Sequence, residues 1–301
     1  MQEGRQCLSA RREGNSLAEQ VLKGAPVAKA LTERLVPQVE ALVEKGVRPT
    51  LAIVRVGERE DDLSYERGAT KRAEKVGLGL RKFVLPADCS QEWLADVIRE
   101  VNEDPSIHGC LLFRPLPKTL DEAAICALLD PAKDVDCITT GSLYGVFANR
   151  PLGFPPCTAE AVLELLDYYK VPLDGAKVTV VGRSLVIGKP VSMMLQARNA
   201  TVTMCHTHTL DLVAACKDAD VVVAAAGHIG TVGAACAASQ EVVVDVGINW
   251  DERAGKLVGD VDYDAVEPIV RAITPVPGGV GSVTTAVLAK HVVEAAQRTV
   301  R

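Results

Sequence analysis

Short runs of β-branched and apolar residues recur along this chain, and most are followed by a stretch with helical spacing. "PTLAIVRVG" (49–57), "GLRKFVLP" (79–86), "IHGCLLFRPLP" (107–117), "KVTVVGRS" (177–184), "ATVTMCH" (200–206), "DVVVAAAG" (220–227) and "EVVVDVGIN" (241–249) read as strands. Helices are expected over 65–75, 90–103, 119–130, 189–198 and 209–219. A strand followed by a helix cannot fold back as a tight hairpin, so successive strands run parallel and both faces of the sheet are covered. The class is therefore α/β. Leu17, Val21, Leu22, Val27, Leu31, Leu35, Val39 and Leu42 predict a first helix over 17–45, stopped by Gly46. The strand pattern restarts after a helix at "PPCTAEAVLELLDYYK" (155–170), for which Thr158 is the expected cap. A last helix, Thr284 to Gln297, follows a glycine loop and could return to either half.

A length of 301 residues suits two domains better than one core. A net charge of -6 and 4% aromatic residues exclude a nucleic-acid groove, which needs a basic stripe and stacking rings. Nine cysteines, odd in number and without a C-x-x-C pair, fit reduced thiols in a cytoplasm. Cys205-His206-Thr207-His208 has no second ligand set at zinc spacing, so no metal is expected. Residues 1–16 are polar and read as an extension rather than a signal, and no membrane span is expected.

Gly182 to Pro190, "GRSLVIGKP", joins a strand to a helix. Glycine at the end of the strand lets backbone approach a ligand, and the helix start offers N–H groups and positive potential to a pyrophosphate. The spacing is not G-x-G-x-x-G. An NAD site would place an acid at the end of the next strand, but "TMCHTHT" has none. Arg183, His206 and Thr207 could surround a 2′-phosphate, so NADP is preferred and NAD is the alternative.

With these residues in place, the chain from about 17 to 297 resembles the methylenetetrahydrofolate dehydrogenase/cyclohydrolase family. The motifs that carry the resemblance are "VGEREDDLSYERGATKRAEKVG", "GCLLFRPLP", "PAKDVDCIT", "PPCTAEAV", "VVGRSLVIGKPV", "VDVGIN", "GDVDYD" and "TPVPGGVGSVTTAVL". It implies an N-terminal αβα folate domain (17–154 with 284–301) and a Rossmann domain (155–283) facing it across a cleft, in a homodimer formed through the Rossmann domains. The implied folate contacts are Tyr65, Phe113, Pro115, Asp136, Pro277, Gly278 and Gly279. The implied cofactor contacts are Gly182, Arg183, Ser184, Ile187, Gly188, His206 and Thr207.

The resemblance fails at two positions that matter for chemistry. The family carries a lysine four residues after the tyrosine and a glutamine, bonded to it, before Pro-Leu-Pro; here those positions are Ala69 and Phe113. At about 100° per residue Lys71 points away from the site, and Lys71, Arg72 and Lys75 read as a solvated face. Removing a hydride from methylene-tetrahydrofolate needs alignment only, whereas hydrolysing the methenyl cation needs a proton relay. With Tyr65 and Asp136 retained, the expectation is an NADP-dependent dehydrogenase without cyclohydrolase activity, served by a separate cyclohydrolase. The alternatives are a bifunctional enzyme with another relay, such as Tyr65 with water, and a non-catalytic dinucleotide-binding regulator. A Rossmann dehydrogenase for an unrelated substrate is a further possibility. Phe113 would either pack on the pterin or fill the space the missing pair leaves.

Overall fold

In a computed structural model, residues 20–300 are described. Strands β1 (Thr50–Val56), β2 (Gly79–Leu85) and β3 (Gly109–Leu112) form a parallel sheet in the order β2-β1-β3. Alternation along β1 sorts its side chains between two layers. Leu51 and Ile53 pack with helices α1 (Gly24–Glu44) and α2 (Glu60–Val76). Ala52, Val54 and Val56 pack with α3 (Gln91–Glu103) and α4 (Glu122–Leu128) on the other face.

A second unit follows helices α5 (Thr140–Ala148) and α6 (Cys157–Tyr168). Its first elements are β4 (Lys177–Val181), α7 (Gly188–Ala197), β5 (Thr201–Cys205), α8 (Leu212–Lys217), β6 (Val221–Ala224) and β7 (Val242–Asp245). An antiparallel hairpin, β8 (Asn249–Asp251) and β9 (Lys256–Val258), then precedes α9 (Tyr263–Val266) and β10 (Ala272–Ile273). The large sheet is parallel, in the order β10-β7-β6-β4-β5. Val178, Val180, Val221, Val223, Val242 and Val244 face the same apolar layer as α1 and α6, while Val181, Val222, Ala224 and Val243 face the opposite one. The last helix, α10 (Thr284–Thr299), packs on α1, α2 and α6, so one continuous core spans both units.

Several expectations are corrected. Leu17 lies outside the described residues. Within them the first helix starts at Gly24, and Val21 instead pairs in parallel with Ile273 at the edge of the large sheet. Leu22 N donates to the Ile273 carbonyl at 2.8 Å, and Ile273 N donates back to Gln20. Apolar periodicity could not reveal this, because a residue that is buried in a helix and one buried at a sheet edge look alike in sequence. The helix over 65–75 is longer than expected and begins at Glu60 with an acidic first turn, Glu60, Asp61 and Asp62. Thr158 is not a cap: α6 begins at Cys157 after Pro156, and its free Cys157 N–H goes to a carboxylate distant in sequence, that of Asp136, at 3.1 Å. Helix α5, capped by Thr139, and the β8–β9 hairpin carry too few periodic residues to be legible in advance.

Glu241, just before β7, is wholly buried. One carboxylate oxygen accepts the Ala238 N–H at 3.0 Å, while Oε1 has no partner. Burial raises this carboxyl to about 7. A carboxyl whose folded pKa lies above its unfolded value contributes most stability below the unfolded value and loses it as pH rises toward 7. Glu241→Gln removes this loss, so its stability relative to the parent should improve by roughly 1–3 kcal/mol between pH 5 and pH 8. Parallel denaturation curves at the two pH values would contradict that.

Candidate active site

The ring of Tyr65 leaves α2 toward α10, where the Thr284 side chain lies within hydrogen-bonding reach of its hydroxyl. Burial pushes this phenol well above its ordinary pKa, and the neighbouring Cys157 and Asp136 push the same way. One turn further along α2, Ala69 is 2% exposed. Phe113 follows β3, is 8% exposed, and meets the Tyr65 ring edge to face with centroids 6.1 Å apart. Ala69 and Phe113 belong to the continuous apolar core, and Tyr65, partly buried, packs against it. Phe113 thus takes up core volume beside Tyr65. Lys71 and Lys75 are exposed, but Arg72 is not on a solvated face. It is half-buried and donates to the Thr32 hydroxyl of α1 at 2.5 Å, because α1 packs along that side of α2.

The "DVDC" turn carries two acids with different tasks. Asp134 is fully buried and accepts from Ile138 N, Thr139 N and the Thr139 hydroxyl at 2.7–2.9 Å, which shapes the turn into α5. Asp136 is half-buried and caps α6 through Cys157 N. Burial raises its carboxyl and Asp134 adds to that, while the Cys157 hydrogen bonds and the charge of His291 oppose it. Cys157, Glu160 of α6, and Thr284 and His291 of α10 were not singled out in the sequence. No local pattern marks them, since they reach the site only through the packing of α6 against α10.

Pro277, Gly278 and Gly279 form the turn before α10; Pro277 and Gly278 are exposed and Gly279 is buried. Gly278 has a φ of 105°, and Gly24 N donates to its carbonyl at 2.8 Å. A Cβ on Gly24 would lie 2.0 Å from the Gly279 oxygen, so the glycine at the start of α1 is required by this contact. Pro115 is exposed, and its carbonyl accepts from Arg59 at 3.1 Å. The Thr284 hydroxyl donates to Gly281, linking the loop to the Tyr65 side.

The 182–188 loop lies at the carboxyl end of β4. Gly182 adopts a φ of 138°, and a Cβ there would stand 2.1 Å from the Ala225 carbonyl. A Cβ on Gly188 would fall 2.3 Å from the Gly182 oxygen. Glycine at 182 therefore lets the end of β4 pass the backbone that follows β6, and glycine at 188 lets the start of α7 close on the end of β4. Ser184 accepts Ile187 N at 3.1 Å and shapes the entry to α7; Arg183 and Ser184 are exposed, and Ile187 is half-buried. At the end of β5, His206 N donates to Thr209 at 2.8 Å and Thr207 is exposed, with no acid at that strand end. A pyrophosphate at the helix start and a 2′-phosphate beside Arg183 fit this arrangement.

Two further acids, within motifs already noted but not assigned, organise the adjoining strand ends. Asp245 accepts Gly247 N, Asp260 N and Val261 N at 2.9–3.0 Å. Burial nevertheless raises its carboxyl to about 6. Asp260 accepts Ala226 N and Gly227 N at 2.6 and 2.8 Å, tying the end of β6 to that of β7. A surface trough of about 510 Å³ between Asp167, Leu173 and Arg198 lies elsewhere and contains none of these groups. Among the described residues no metal-ligand set gathers, and no helix is long and apolar enough to cross a membrane.

Comparison with known proteins gives a consistent likeness. The catalytic domain of tetrahydrofolate dehydrogenase/cyclohydrolase matches residues 22–136, and the NAD(P)-binding domain of the same family matches residues 156–300. The chain is 51% identical over 276 residues to the bifunctional protein FolD of Clostridioides difficile, covering 92% of this chain and 96% of the relative. It is 52% identical over 277 residues to that of Carboxydothermus hydrogenoformans, with the same coverage. Among solved structures, the bifunctional FolD of Campylobacter jejuni superposes with a TM-score of 0.89 at 33% identity, over 92% of this chain and 98% of that one. The Trypanosoma brucei enzyme complexed with NADP cofactor and inhibitor gives 0.86 at 36% identity, over 93% and 98%.

Because the Phe113 ring is buried against Tyr65, Phe113→Ala should leave a cavity and destabilise the protein by about 3 kcal/mol. Urea denaturation measures this directly. A loss below about 1 kcal/mol would place the ring in the open cleft instead.

Proposed function

The chain belongs to the tetrahydrofolate dehydrogenase/cyclohydrolase family, and from that premise we propose that it is a monofunctional 5,10-methylenetetrahydrofolate dehydrogenase using NADP. The observation that carries this is the apolar packing of Ala69 and Phe113 against Tyr65. The FolD relatives are named bifunctional, and the proposal departs from that name on these two side chains.

Dehydrogenation breaks one C–H bond of the methylene bridge heterolytically. The hydride leaves with its electron pair, and a nitrogen lone pair closes the C=N bond of the methenyl cation. NADP, when bound, supplies the acceptor for that hydride. No proton moves, so the protein's task is alignment. Asp136 accepts hydrogen bonds from the pterin edge, and Tyr65 packs on the central part of folate. The "PGGVG" backbone and Pro115 line the same cleft. Gly182, Ser184, Ile187 and Gly188 shape the pyrophosphate site; Arg183 with His206 and Thr207 surrounds the 2′-phosphate. A resident ammonium would oppose the positive charge that develops on the substrate, and Ala69 removes that opposition.

Hydrolysis of the methenyl cation requires a group that takes a proton from water and returns one as the adduct collapses. Tyr65 is a poor candidate because burial keeps it a phenol. Arg72 is committed to Thr32 and its guanidinium stays protonated. Losing such a relay costs about 10² to 10⁴ in rate. The product would then pass to a separate cyclohydrolase. A homodimer and a cytoplasmic setting complete the proposal; the eight cysteines among the described residues are free, as a reducing compartment requires.

With saturating methylene-tetrahydrofolate and NADP, methenyl-tetrahydrofolate should accumulate in step with NADPH and decay no faster than in buffer. Ala69→Lys with Phe113→Gln should restore measurable hydrolysis. Catalysed decay by the parent protein would establish the bifunctional reading, and absence of NADP reduction would support a non-catalytic binding protein.

A further inference from the structure

His291 is wholly buried in α10, behind the turn that carries Asp136. Its Nδ1 lies 2.8 Å from the Val135 carbonyl oxygen, and its Nε2 meets the Glu160 carboxylate. A neutral imidazole has a single N–H and would leave one of these acceptors without a donor. With Glu160 ionised, both contacts are made together only by the imidazolium. Burial disfavours that charge, but Glu160 overrides it and the pKa of His291 is raised. Burial pushes the Glu160 carboxyl up in turn, yet His291 and then Lys290 hold it down at about 2. Lys290 joins Glu160 to Glu164 of α6, the latter at 2.7 Å, so each buried cation has an anion.

Cys157 Sγ lies 3.8 Å from His291 Nδ1, which invites a cysteine–histidine–glutamate nucleophile. The geometry is against it. The thiol donates toward the same Val135 carbonyl, at 3.3 Å, and burial together with Asp136 drives its pKa well up. Nδ1 is itself a donor there and has no lone pair to accept the thiol proton.

The Val135 carbonyl belongs to the peptide that joins Val135 to Asp136, so a donor fixed on that oxygen fixes the direction in which Asp136 leaves the backbone. We infer that His291 is a positioning residue for the folate site, clamping the Val135–Asp136 peptide and placing a positive charge behind the Asp136 carboxylate. This rests on Asp136 being the acid that holds the pterin. Asp136 is faced by Cys157 from α6, Tyr65 from α2, His291 from α10 and Asp134 from its own turn. Of these, His291 brings the positive charge. His291 is faced by Glu160 from α6 and by Glu294 and Lys290 of its own helix. The stabilisation it brings is present below the unfolded histidine pKa and is lost as pH rises through the raised folded value.

The test uses the full-length enzyme and His291→Asn, which keeps one N–H for Val135 but carries no charge. Without the cation Asp136 takes up a proton at higher pH. The acidic rise in KM for methylene-tetrahydrofolate should therefore begin about half a pH unit or more higher than in the parent, converging at alkaline pH, with the KM for NADP unchanged within about twofold. A residue that only supports the fold would raise KM by the same factor at every pH. Nitrogen-15 spectra of the parent at pH 7 should show both His291 ring nitrogens protonated. An unmoved acidic limb, or a singly protonated ring, overturns the inference. Asp136→Asn separates the two levels of the argument: if it leaves the folate KM unchanged, the pterin assignment beneath has failed. If it raises KM while His291→Asn leaves the limb in place, only the role of His291 has failed.

Discussion

Helix α10 is buried against α1 and α2 on one side and α6 on the other, and its Ala286, Val287, Ala289, Val292, Val293 and Ala296 belong to the core shared by both units. Burying an aliphatic side chain in such a layer contributes about 1.5–3 kcal/mol, so the two sheets cannot separate at this seam without losing many such contributions together. The turn at 277–279 leads into this helix and is tied back to Gly24 at the start of α1. Where the chain enters α10 therefore sets where Pro277, Gly278 and Gly279 stand relative to Tyr65 and Asp136.

The seam also holds charge in a place where charge is costly. Glu160 and Glu164 lie one turn apart on α6 and face Lys290 and His291 on α10. Removing ions from water costs several kcal/mol each unless partners replace the lost hydration, and here each ion has a partner on the facing helix. Such pairs fix register better than an apolar contact, because a slip by one residue would strand a buried charge. Register matters at this point, for Thr284 reaches Tyr65 and His291 reaches the Asp136 turn from the same helix.

The surroundings of Tyr65 are the opposite case. Ala69 and Phe113 are apolar, and the ring of Phe113 packs where a polar pair would have needed hydrogen-bond partners. A lone polar residue at either position would have been left without its partner in a half-dry site, at a cost of about 1–3 kcal/mol. Replacing both members with apolar groups avoids that penalty. It also leaves an apolar surface beside Tyr65.

The alternation of strands and helices was legible from the residues alone, since a parallel strand buried on both faces reads as an unbroken apolar run. So was the glycine pair at 182 and 188, because it depends on what a single side chain can or cannot do; Ala69 and Phe113 stood out only beside the pattern of the family that the chain resembles. Three things were decided only by the tertiary structure: the diversion of Val21 and Leu22 to a sheet edge, the capping of α6 by Asp136 across 21 residues, and the arrival of His291 behind the Asp136 turn. Local sequence fixes period, turn chemistry and the reach of one side chain. Which buried donor meets which distant acceptor depends on how helices pack, and that is settled only when the shared core closes.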